Sequence, residues 1–219
     1  MKLENIRAVL FDLDGTLVDT APDLGYALNL QRARHGLPPL ADDIIRPQAS
    51  HGARGLLGVG FDLHPDNAKF ASMREEFLQL YADNICRHSR PFDGILDLLA
   101  ALDTRQLKWG VVTNKPARFT DPLMAALGLS ERAASIISGD TCANPKPHPE
   151  PLLCASREIA VEPQQCAYVG DAERDMEAAI AAGMRPIVAH YGYLGPDDHP
   201  EQWSAHSMIE NPLELLRLL

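Results

Sequence analysis

Short runs of apolar residues recur along the chain, and most of them are separated by segments with helical spacing. Each run ends at a small or polar residue, which is typical of strands that are buried on both faces of a parallel sheet. Because parallel strands need a crossover between them, the alternation predicts an α/β fold with a doubly wound parallel sheet. The predicted strands are Ala8–Phe11, Trp109–Thr113, Ser135–Ile137, Ala167–Val169 and Ile187–His190.

Helical spacing follows several of these runs and stops at a glycine or shortly before a proline, the usual signals at the end of a helix. The predicted helices between the later strands are Pro116–Leu127, Pro149–Ala160 and Ala172–Ala182.

Nearly a hundred residues separate the first two predicted strands, far more than one crossover helix needs. Thr20–Asp23 has the pattern of a capping box, opening a helix that ends near His35–Gly36. Residues 66–85 carry large apolar side chains at helical spacing, which we interpret as a local core. We therefore predict an inserted helical subdomain over residues 21–90, with the sheet domain formed by residues 1–20 and 91–219. The apolar stripe is Phe70, Met73, Phe77, Leu80 and Tyr81.

Composition narrows the choice of partners. The 219 residues are 46% hydrophobic and 23% charged, which argues against disorder. A formal net charge of -10 disfavours binding to nucleic acid and to anionic lipid surfaces. We find neither a signal peptide nor an apolar stretch long enough to cross a membrane, and the four cysteines lack metal-binding spacing. These features predict a cytoplasmic chain with reduced thiols.

The most informative segment, Phe11-Asp-Leu-Asp-Gly-Thr-Leu-Val-Asp-Thr20, follows the first predicted strand. In extended backbone Asp12 and Asp14 project from the same side. Neighbouring carboxylates repel, so either one pKa rises or a cation binds between them. An ionised Asp12 could then attack phosphorus, while Asp14 gives and takes a proton. An ordinary acidic turn is the alternative interpretation of these two residues alone.

A second acidic pair, Asp171 and Asp175, follows the fourth predicted strand. The four-residue spacing places the two carboxylates near each other on the first turn of a helix, where they repel unless a cation lies between them. A favourable interaction with the helix dipole is the alternative explanation. Carboxylate oxygens without sulfur or imidazole suit Mg²⁺.

Two further strand ends supply groups that could hold a phosphate. Thr113 and Asn114 offer a hydroxyl and backbone N–H groups near the start of a helix. Lys146 lies in the proline-stiffened loop 144–149, where its ammonium has little freedom. Each of these residues is common at the surface of a protein when it occurs alone. Together with the four aspartates, they place a hydroxyl, a cation and carboxylates at the ends of successive strands.

This combination resembles the haloacid-dehalogenase-like phosphohydrolase superfamily, whose four signatures occur in order along the whole chain. The resemblance implies a Rossmann-like core and an aspartyl-phosphate formed on Asp12, with Asp14 as general acid and base. It also implies that Thr113 and Lys146 hold the phosphoryl group.

The same resemblance implies a Mg²⁺ ion bound by the Asp12 carboxylate, the Asp14 backbone carbonyl and Asp171, with Asp175 in support. Dehalogenases of the superfamily lack the second aspartate of the first signature, so Asp14 favours a phosphatase or a phosphomutase.

The insertion resembles the helical cap of phosphoglycolate-phosphatase-like members, while other segments are similar to N-acetylmuramic acid 6-phosphate phosphatases. The resemblance implies hydrolysis of a small phosphorylated acid, with 2-phosphoglycolate first and N-acetylmuramic acid 6-phosphate second. His148 departs from the aspartate that such proteins commonly carry after Lys-Pro. The first likeness is carried by Thr20–Leu24, Trp109–Pro116 and Ser138–Thr141, the second by Arg90–Phe92, Val112–Phe119, Tyr191–Tyr193 and Trp203.

Substrate choice is expected to lie in the cap. Ser50, His51 and Arg54 are the candidates, because a glycine-interrupted turn with polar and cationic groups could reach a substrate carboxylate. We expect a small phosphorylated metabolite as the only partner, and a monomer or homodimer. A sugar phosphomutase, and a receiver-like module that accepts phosphate for signalling, are the alternatives to a phosphatase.

Overall fold

The computed structural model describes residues 3–219. The chain divides into two compact units. The first contains the described residues up to Val18 together with Pro91–Leu219, and the second contains Asp19–Arg90.

A six-stranded sheet forms the centre of the first unit, and its strands all pair in parallel. The order is β5-β4-β1-β6-β7-β8, while β2 and β3 form a separate two-stranded sheet. The chain builds outward from β1 on one side and then returns to build on the other, which confirms the predicted doubly wound α/β fold. The strands are β1 (Ala8–Phe11), β2 (Val18–Asp19), β3 (Arg90–Pro91), β4 (Lys108–Val112), β5 (Ile136–Ile137), β6 (Cys166–Gly170), β7 (Arg185–Ala189) and β8 (Ser207–Ile209).

An α-helix lies in each connection of this sheet from β1 to β7, the connection from β7 to β8 contains only a 3₁₀ segment, and four further helices lie in the second unit. Short 3₁₀ segments occur at Arg46–His51, Pro163–Gln165, Pro200–Gln202 and Pro212–Glu214. The helices are α1 (Ala21–Arg34), α2 (Asp42–Ile45), α3 (Gly52–Phe61), α4 (Phe70–Ala82), α5 (Ile95–Thr104), α6 (Ala117–Ala126), α7 (Glu150–Glu158), α8 (Glu173–Ala182) and α9 (Leu215–Leu218).

The core of the first unit lies on the central strands. All four residues of β1 are fully buried, as are Val111 and Val112 on β4 and Tyr168 on β6. A strand covered on both faces buries every side chain, which is why these strands read as continuous apolar runs instead of alternating ones. The rigid strands fix where their carboxyl ends lie, and therefore where the polar residues that follow them are held.

In the second unit, α4 buries Met73, Phe77, Leu80 and Tyr81, whereas Phe70 is half-buried. The stripe of apolar residues thus forms local core.

The start of α1 differs from the predicted capping box. Thr20 makes no side-chain cap hydrogen bond. The Asp23 carboxylate instead accepts hydrogen bonds from the backbone N–H groups of His88 (2.8 Å) and Ser89 (2.9 Å) and from the Ser89 hydroxyl (2.6 Å). The predicted capping box is wrong because the Asp23 carboxylate accepts its hydrogen bonds from His88 and Ser89, which are distant in the sequence.

Within residues 3–219, no helix combines the length and the apolar character that a membrane span requires. The four cysteines, which all lie in this range, are unpaired thiols.

Candidate active site

The carboxyl ends of the three central strands bring the predicted core residues together. Phe11, the last residue of β1, lies beside Val111 of β4 and Val169 of β6. Asp12 continues the register, donating its backbone N–H to the Val169 carbonyl at 2.8 Å. Because β1 lies between β4 and β6, the residues that follow these three strands share one edge of the sheet.

Asp12 is held in a defined orientation. Its Oδ1 accepts a hydrogen bond from the backbone N–H of Leu13 at 2.7 Å and lies 3.0 Å from Lys146 Nζ. The side chain is only 5% exposed. In the described part of the chain, Oδ2 accepts no hydrogen bond. One carboxylate oxygen is therefore fixed by the protein, while the other keeps its lone pairs for a reacting group or a cation.

A tight turn carries the chain away from Asp12. The Leu13 carbonyl accepts hydrogen bonds from the N–H groups of Leu17 (3.1 Å) and Val18 (2.9 Å). Gly15 has a φ of +81°, and a Cβ atom at this position would lie 2.1 Å from Asp171 Oδ2. The site therefore requires glycine here, for its backbone conformation as well as for space.

Lys146 is the buried cation of the site. Its ammonium donates to the Val112 carbonyl (2.9 Å), the Tyr168 hydroxyl (2.7 Å) and Asp175 Oδ1 (2.7 Å), and it lies beside Asp12. An ammonium has three hydrogens, and these three acceptors account for them. Lys146 thus acts on its surroundings through its positive charge, with its N–H groups already directed at protein oxygens.

Asn114 holds the Lys146 loop. Its Nδ2 donates to the Lys146 carbonyl and its Oδ1 accepts from the Lys146 N–H, both at 2.9 Å. From the sequence, Asn114 was expected to offer a backbone N–H to a phosphate, and that role stays a prediction. In the structure, both ends of its side-chain amide fix the loop that carries the buried lysine. Thr113 Oγ1, the other predicted phosphate contact on this strand end, accepts the backbone N–H of Lys115 at 3.2 Å.

Lys115 is a site residue that the sequence analysis missed. Its Nζ lies 2.9 Å from Asp14 Oδ1, and this ion pair joins the turn after β1 to the loop after β4. The Lys115 carbonyl accepts hydrogen bonds from the Gly139 N–H (2.8 Å) and the Thr120 hydroxyl (3.1 Å), so the backbone that presents the ammonium is fixed.

The acidic residues form one cluster that could hold a metal ion. Asp12, Asp171 and Asp175 are all buried, and each offers a carboxylate oxygen within 4.8 Å of the others. Buried carboxylates at this separation repel one another strongly unless a cation neutralises them. An all-oxygen donor set fits a hard divalent cation. The Asp175 carboxylate already accepts hydrogen bonds from Lys146 and from the Ala172 N–H (3.1 Å), so the protein holds it in place.

Burial dominates the electrostatics around Lys146. It raises the pKa of Asp175; the nearby Lys146 charge counteracts this, and Asp12 adds to it. Burial, followed by the charges of Asp175 and Asp12, raises the pKa of Tyr168 well above its usual range. The Tyr168 hydroxyl therefore stays protonated and donates to the Val112 carbonyl at 2.8 Å while it accepts from Lys146.

Arg174 adds a further positive charge near the acidic cluster. Burial lowers the pKa of its guanidinium, but the charges of Asp175, Asp12 and Asp171 outweigh burial and raise it. Arg174 was not among the predicted site residues, because its position in Gly170-Asp-Ala-Glu-Arg-Asp175 gives no sign of which way its side chain turns.

The predicted cap residues belong to the second unit. Ser50 and His51 end the 3₁₀ segment Arg46–His51, and Arg54 lies in the first turn of α3. Their role toward a substrate stays a prediction, since the aspartates and lysines described above all belong to the first unit.

Comparison with known proteins places this geometry in a family. Residues 9–189 match the family model of the haloacid dehalogenase-like hydrolases. The N-acetylmuramic acid 6-phosphate phosphatase of Pseudomonas aeruginosa is 42% identical over 219 residues, covering 100% of this chain and 97% of that protein. The phosphoglycolate phosphatase of Xanthomonas campestris pv. campestris is 44% identical over 209 residues, covering 95% of this chain and 94% of that protein.

A solved structure agrees with these relatives. The crystal structure of a protein described as a predicted phosphoglycolate phosphatase from Haemophilus somnus superposes with a TM-score of 0.85 at 26% identity, covering 99% of both chains. These matches confirm the sequence-based prediction of a phosphatase of this fold. The chain belongs to the haloacid dehalogenase-like hydrolases.

Proposed function

We propose that the protein is a Mg²⁺-dependent phosphomonoester hydrolase that works through an aspartyl-phosphate on Asp12. The observation that carries the proposal is the state of the Asp12 carboxylate. One oxygen is held by Leu13 N–H and the Lys146 charge, and the other accepts no hydrogen bond from the described residues, at the edge of the sheet where Asp171 also lies. That arrangement suits a nucleophile that must stay ionised and aimed.

The other residues of the first unit supply the remaining roles. Asp12 Oδ2 attacks phosphorus and forms the new P–O bond as the bond to the alcohol breaks. Asp14 gives its proton to the departing alkoxide and later takes one from the water that hydrolyses the aspartyl-phosphate. Thr113 and Lys146 stabilise the transferring group, Lys146 by its charge.

A divalent cation fits the donor atoms present. Asp12, Asp171 and the backbone carbonyl of Asp14 would hold Mg²⁺, with Asp175 and Lys146 behind them. When bound, the ion offsets the negative charge of the carboxylates and of the phosphate, which otherwise repel each other. Asp171 would contribute a ligand oxygen from a position that its hydrogen bond with the Tyr193 N–H fixes.

The proposed substrate is a small phosphorylated acid, with 2-phosphoglycolate first and N-acetylmuramic acid 6-phosphate second. Both esters carry a carboxylate besides the phosphate. Relatives named for the two activities match at nearly equal identity, 44% and 42%, over almost the whole chain. Ser50, His51 and Arg54 are the proposed carboxylate contacts from the second unit.

A phosphate-release screen tests this proposal. The full chain is assayed with 2-phosphoglycolate, N-acetylmuramic acid 6-phosphate, hexose phosphates and nucleotides, with Mg²⁺ and with a chelator. We expect Mg²⁺-dependent multiple turnover on one of the two acids, and no turnover by Asp12→Asn with unchanged secondary structure.

Three results would contradict the proposal. These are isomerised sugar phosphate without released phosphate, a single stable phosphorylation without turnover, and phosphate trapped on a residue other than Asp12. The first would indicate a phosphomutase and the second a signalling module.

A further inference from the structure

The loop after β7 contacts Asp171 of the acidic cluster. We call residues 191–193 the Tyr-Gly-Tyr loop. The backbone N–H of Tyr193 donates to Asp171 Oδ2 at 2.9 Å, and the Tyr191 hydroxyl donates to the Thr16 carbonyl at 3.1 Å. Thr16 in turn donates its hydroxyl to Asp171 Oδ1 through a long hydrogen bond of 3.4 Å. Both carboxylate oxygens of Asp171 are therefore oriented, one directly by the loop and one by a residue that the loop holds.

Gly192 allows this close approach. A Cβ atom at this position would lie 2.3 Å from Asp171 Cβ and 2.5 Å from the Gly15 carbonyl oxygen. Real Cβ atoms essentially never come so near to other atoms, and neither neighbour is the flexible end of a long side chain. Any larger residue would force Asp171, the Gly15 turn or the loop to move.

The Phe92 ring packs against both tyrosines of the loop. The Phe92 ring lies 5.2 Å from the Tyr191 ring at an interplanar angle of 63° and 6.1 Å from the Tyr193 ring, distances that are typical of edge-to-face and tilted pairs. Tyr193 is 2% exposed. Burial, followed by the Asp171 charge, raises the pKa of Tyr191, so its hydroxyl stays a hydrogen-bond donor.

We propose that the Tyr-Gly-Tyr loop is a positioning element that holds Asp171 in the orientation of a Mg²⁺ ligand. The inference rests on the proposed function, because it assigns the loop to the metal site of that function. Residues that orient a metal ligand contribute strongly to affinity, since a ligand that must be ordered on binding binds more weakly. The loop supplies this order through a backbone N–H and a tyrosine hydroxyl, with glycine between them.

Metal binding is the direct test. Mn²⁺, used as a spectroscopic probe, is titrated into the full chain and followed by electron paramagnetic resonance, with Mg²⁺ as the competitor. We expect Gly192→Ala to bind both ions about 10- to 100-fold more weakly than the unmodified chain. Tyr191→Phe removes one hydrogen bond and is expected to weaken binding roughly two- to tenfold.

Two variants serve as matched controls. Gly58→Ala makes the same substitution at a helical glycine where the nearest atom to a new Cβ is 3.9 Å away, and Tyr26→Phe removes a hydroxyl in the second unit. Both are expected to bind metal within about twofold of the unmodified chain, because both residues belong to the second unit and Asp171 belongs to the first. Melting curves without metal report the fold, and Tyr191→Phe carries the test if Gly192→Ala does not fold.

Unchanged Mn²⁺ and Mg²⁺ affinity in folded Gly192→Ala, or in folded Tyr191→Phe, would overturn the inference. Failure of the proposed function has a different signature, since the unmodified chain would then bind metal without releasing phosphate from any ester. A partial recovery of Gly192→Ala turnover as Mg²⁺ is raised would support the inference when the melting curve without metal shows that the variant is folded, because added metal can also stabilise a folded state.

Discussion

Lys115 Nζ lies 2.9 Å from Asp14 Oδ1, in an ion pair whose two side chains are only 7% and 17% exposed. The pair fixes the carboxylate to which we assign proton transfer. It also joins two loops that are 101 positions apart in the sequence. A carboxyl group that gives a proton to a departing alkoxide must be oriented toward that oxygen. We therefore expect loss of Lys115 to lower the rate most for esters whose leaving oxygen has to be protonated.

Lys115→Met is therefore expected to affect poor and good leaving groups differently. We predict that kcat falls about 10- to 100-fold for an alkyl phosphate, which needs protonation of its leaving oxygen, and less than about threefold for 4-nitrophenyl phosphate. Steady-state kinetics on both esters measure the ratio. Lys69→Met, which removes a lysine from the second unit, is the control, and equal losses on the two esters would contradict the assigned role.

Loss of the buried Lys146 charge should be costly for stability. Lys146 and Asp175 are both fully buried and 2.7 Å apart, so Lys146→Met leaves a buried carboxylate without its partner. We expect the free energy of unfolding at pH 7 to fall by about 3 kcal/mol, measured by urea titration. Adding Asp175→Asn should recover part of the loss. A decrease smaller than about 1 kcal/mol in the single variant would show that the ion pair contributes little.

The stability loss in Lys146→Met should also depend on pH. Burial already raises the pKa of Asp175, and Lys146 is the charge that counteracts it. Without that charge the folded chain holds the Asp175 proton more tightly than the unfolded chain does, so stability increases as the pH falls. Urea titrations at several pH values should show a deficit that is largest at neutral pH and shrinks in acid. A deficit independent of pH would contradict this account.

Asp23 is predicted to be structural. Asp23→Ala removes the acceptor of the His88 and Ser89 hydrogen bonds and leaves the buried Ser89 N–H unsatisfied. We expect a loss of roughly 3 kcal/mol in unfolding free energy, because hydrogen bonds to a charged group are strong and unpaired buried donors are costly. Asp83→Ala, at an exposed carboxylate that accepts from Gln79, is the control and should change stability by less than about 0.5 kcal/mol.

The thiol of Cys142 should react slowly at neutral pH. Burial, together with a hydrogen bond and charge interaction with Cys154, raises the pKa of Cys142 to about 11. Only the thiolate is nucleophilic, so the alkylation rate should rise about tenfold per pH unit between pH 8 and 10. Iodoacetamide labelling followed by peptide mass spectrometry measures this rate. A rate that levels off between about pH 9 and 10, as expected for an unperturbed thiol, would contradict the raised pKa.

The main sheet and the acidic residues were predictable because each depends on local sequence. Apolar runs indicate the buried strands. The i, i+2 spacing of Asp12 and Asp14 predicts that their side chains project from the same side of an extended backbone, and this inference needs no knowledge of the rest of the fold. Helix α5 was not predicted, although its buried leucines and isoleucine recur at helical spacing over Ile95–Thr104. Strand β8 has three residues at the sheet edge, which is too short to give a periodic signal.

The partners of Lys115, Asn114 and Asp23 could not be predicted in the same way. Each side chain forms a hydrogen bond or ion pair with a segment between 32 and 101 positions away in the sequence. The residues next to it in the sequence do not indicate which distant segment this is. Asn114 is the clearest case, because an asparagine at this strand end gives no sign that its side chain holds another loop. That role becomes visible only when the path of loop 144–149 is known.

The two hydrogen bonds between the Asn114 side-chain amide and the Lys146 backbone have a practical consequence for protein engineering. They hold two strand-end loops together directly. The exposed turn around Glu131 lies between these loops in the sequence, and loop tips of this kind accept insertions readily. A reporter domain inserted at this turn should leave the catalytic activity unchanged. The resulting fusion would join a reporter to an active enzyme and could serve as a sensor.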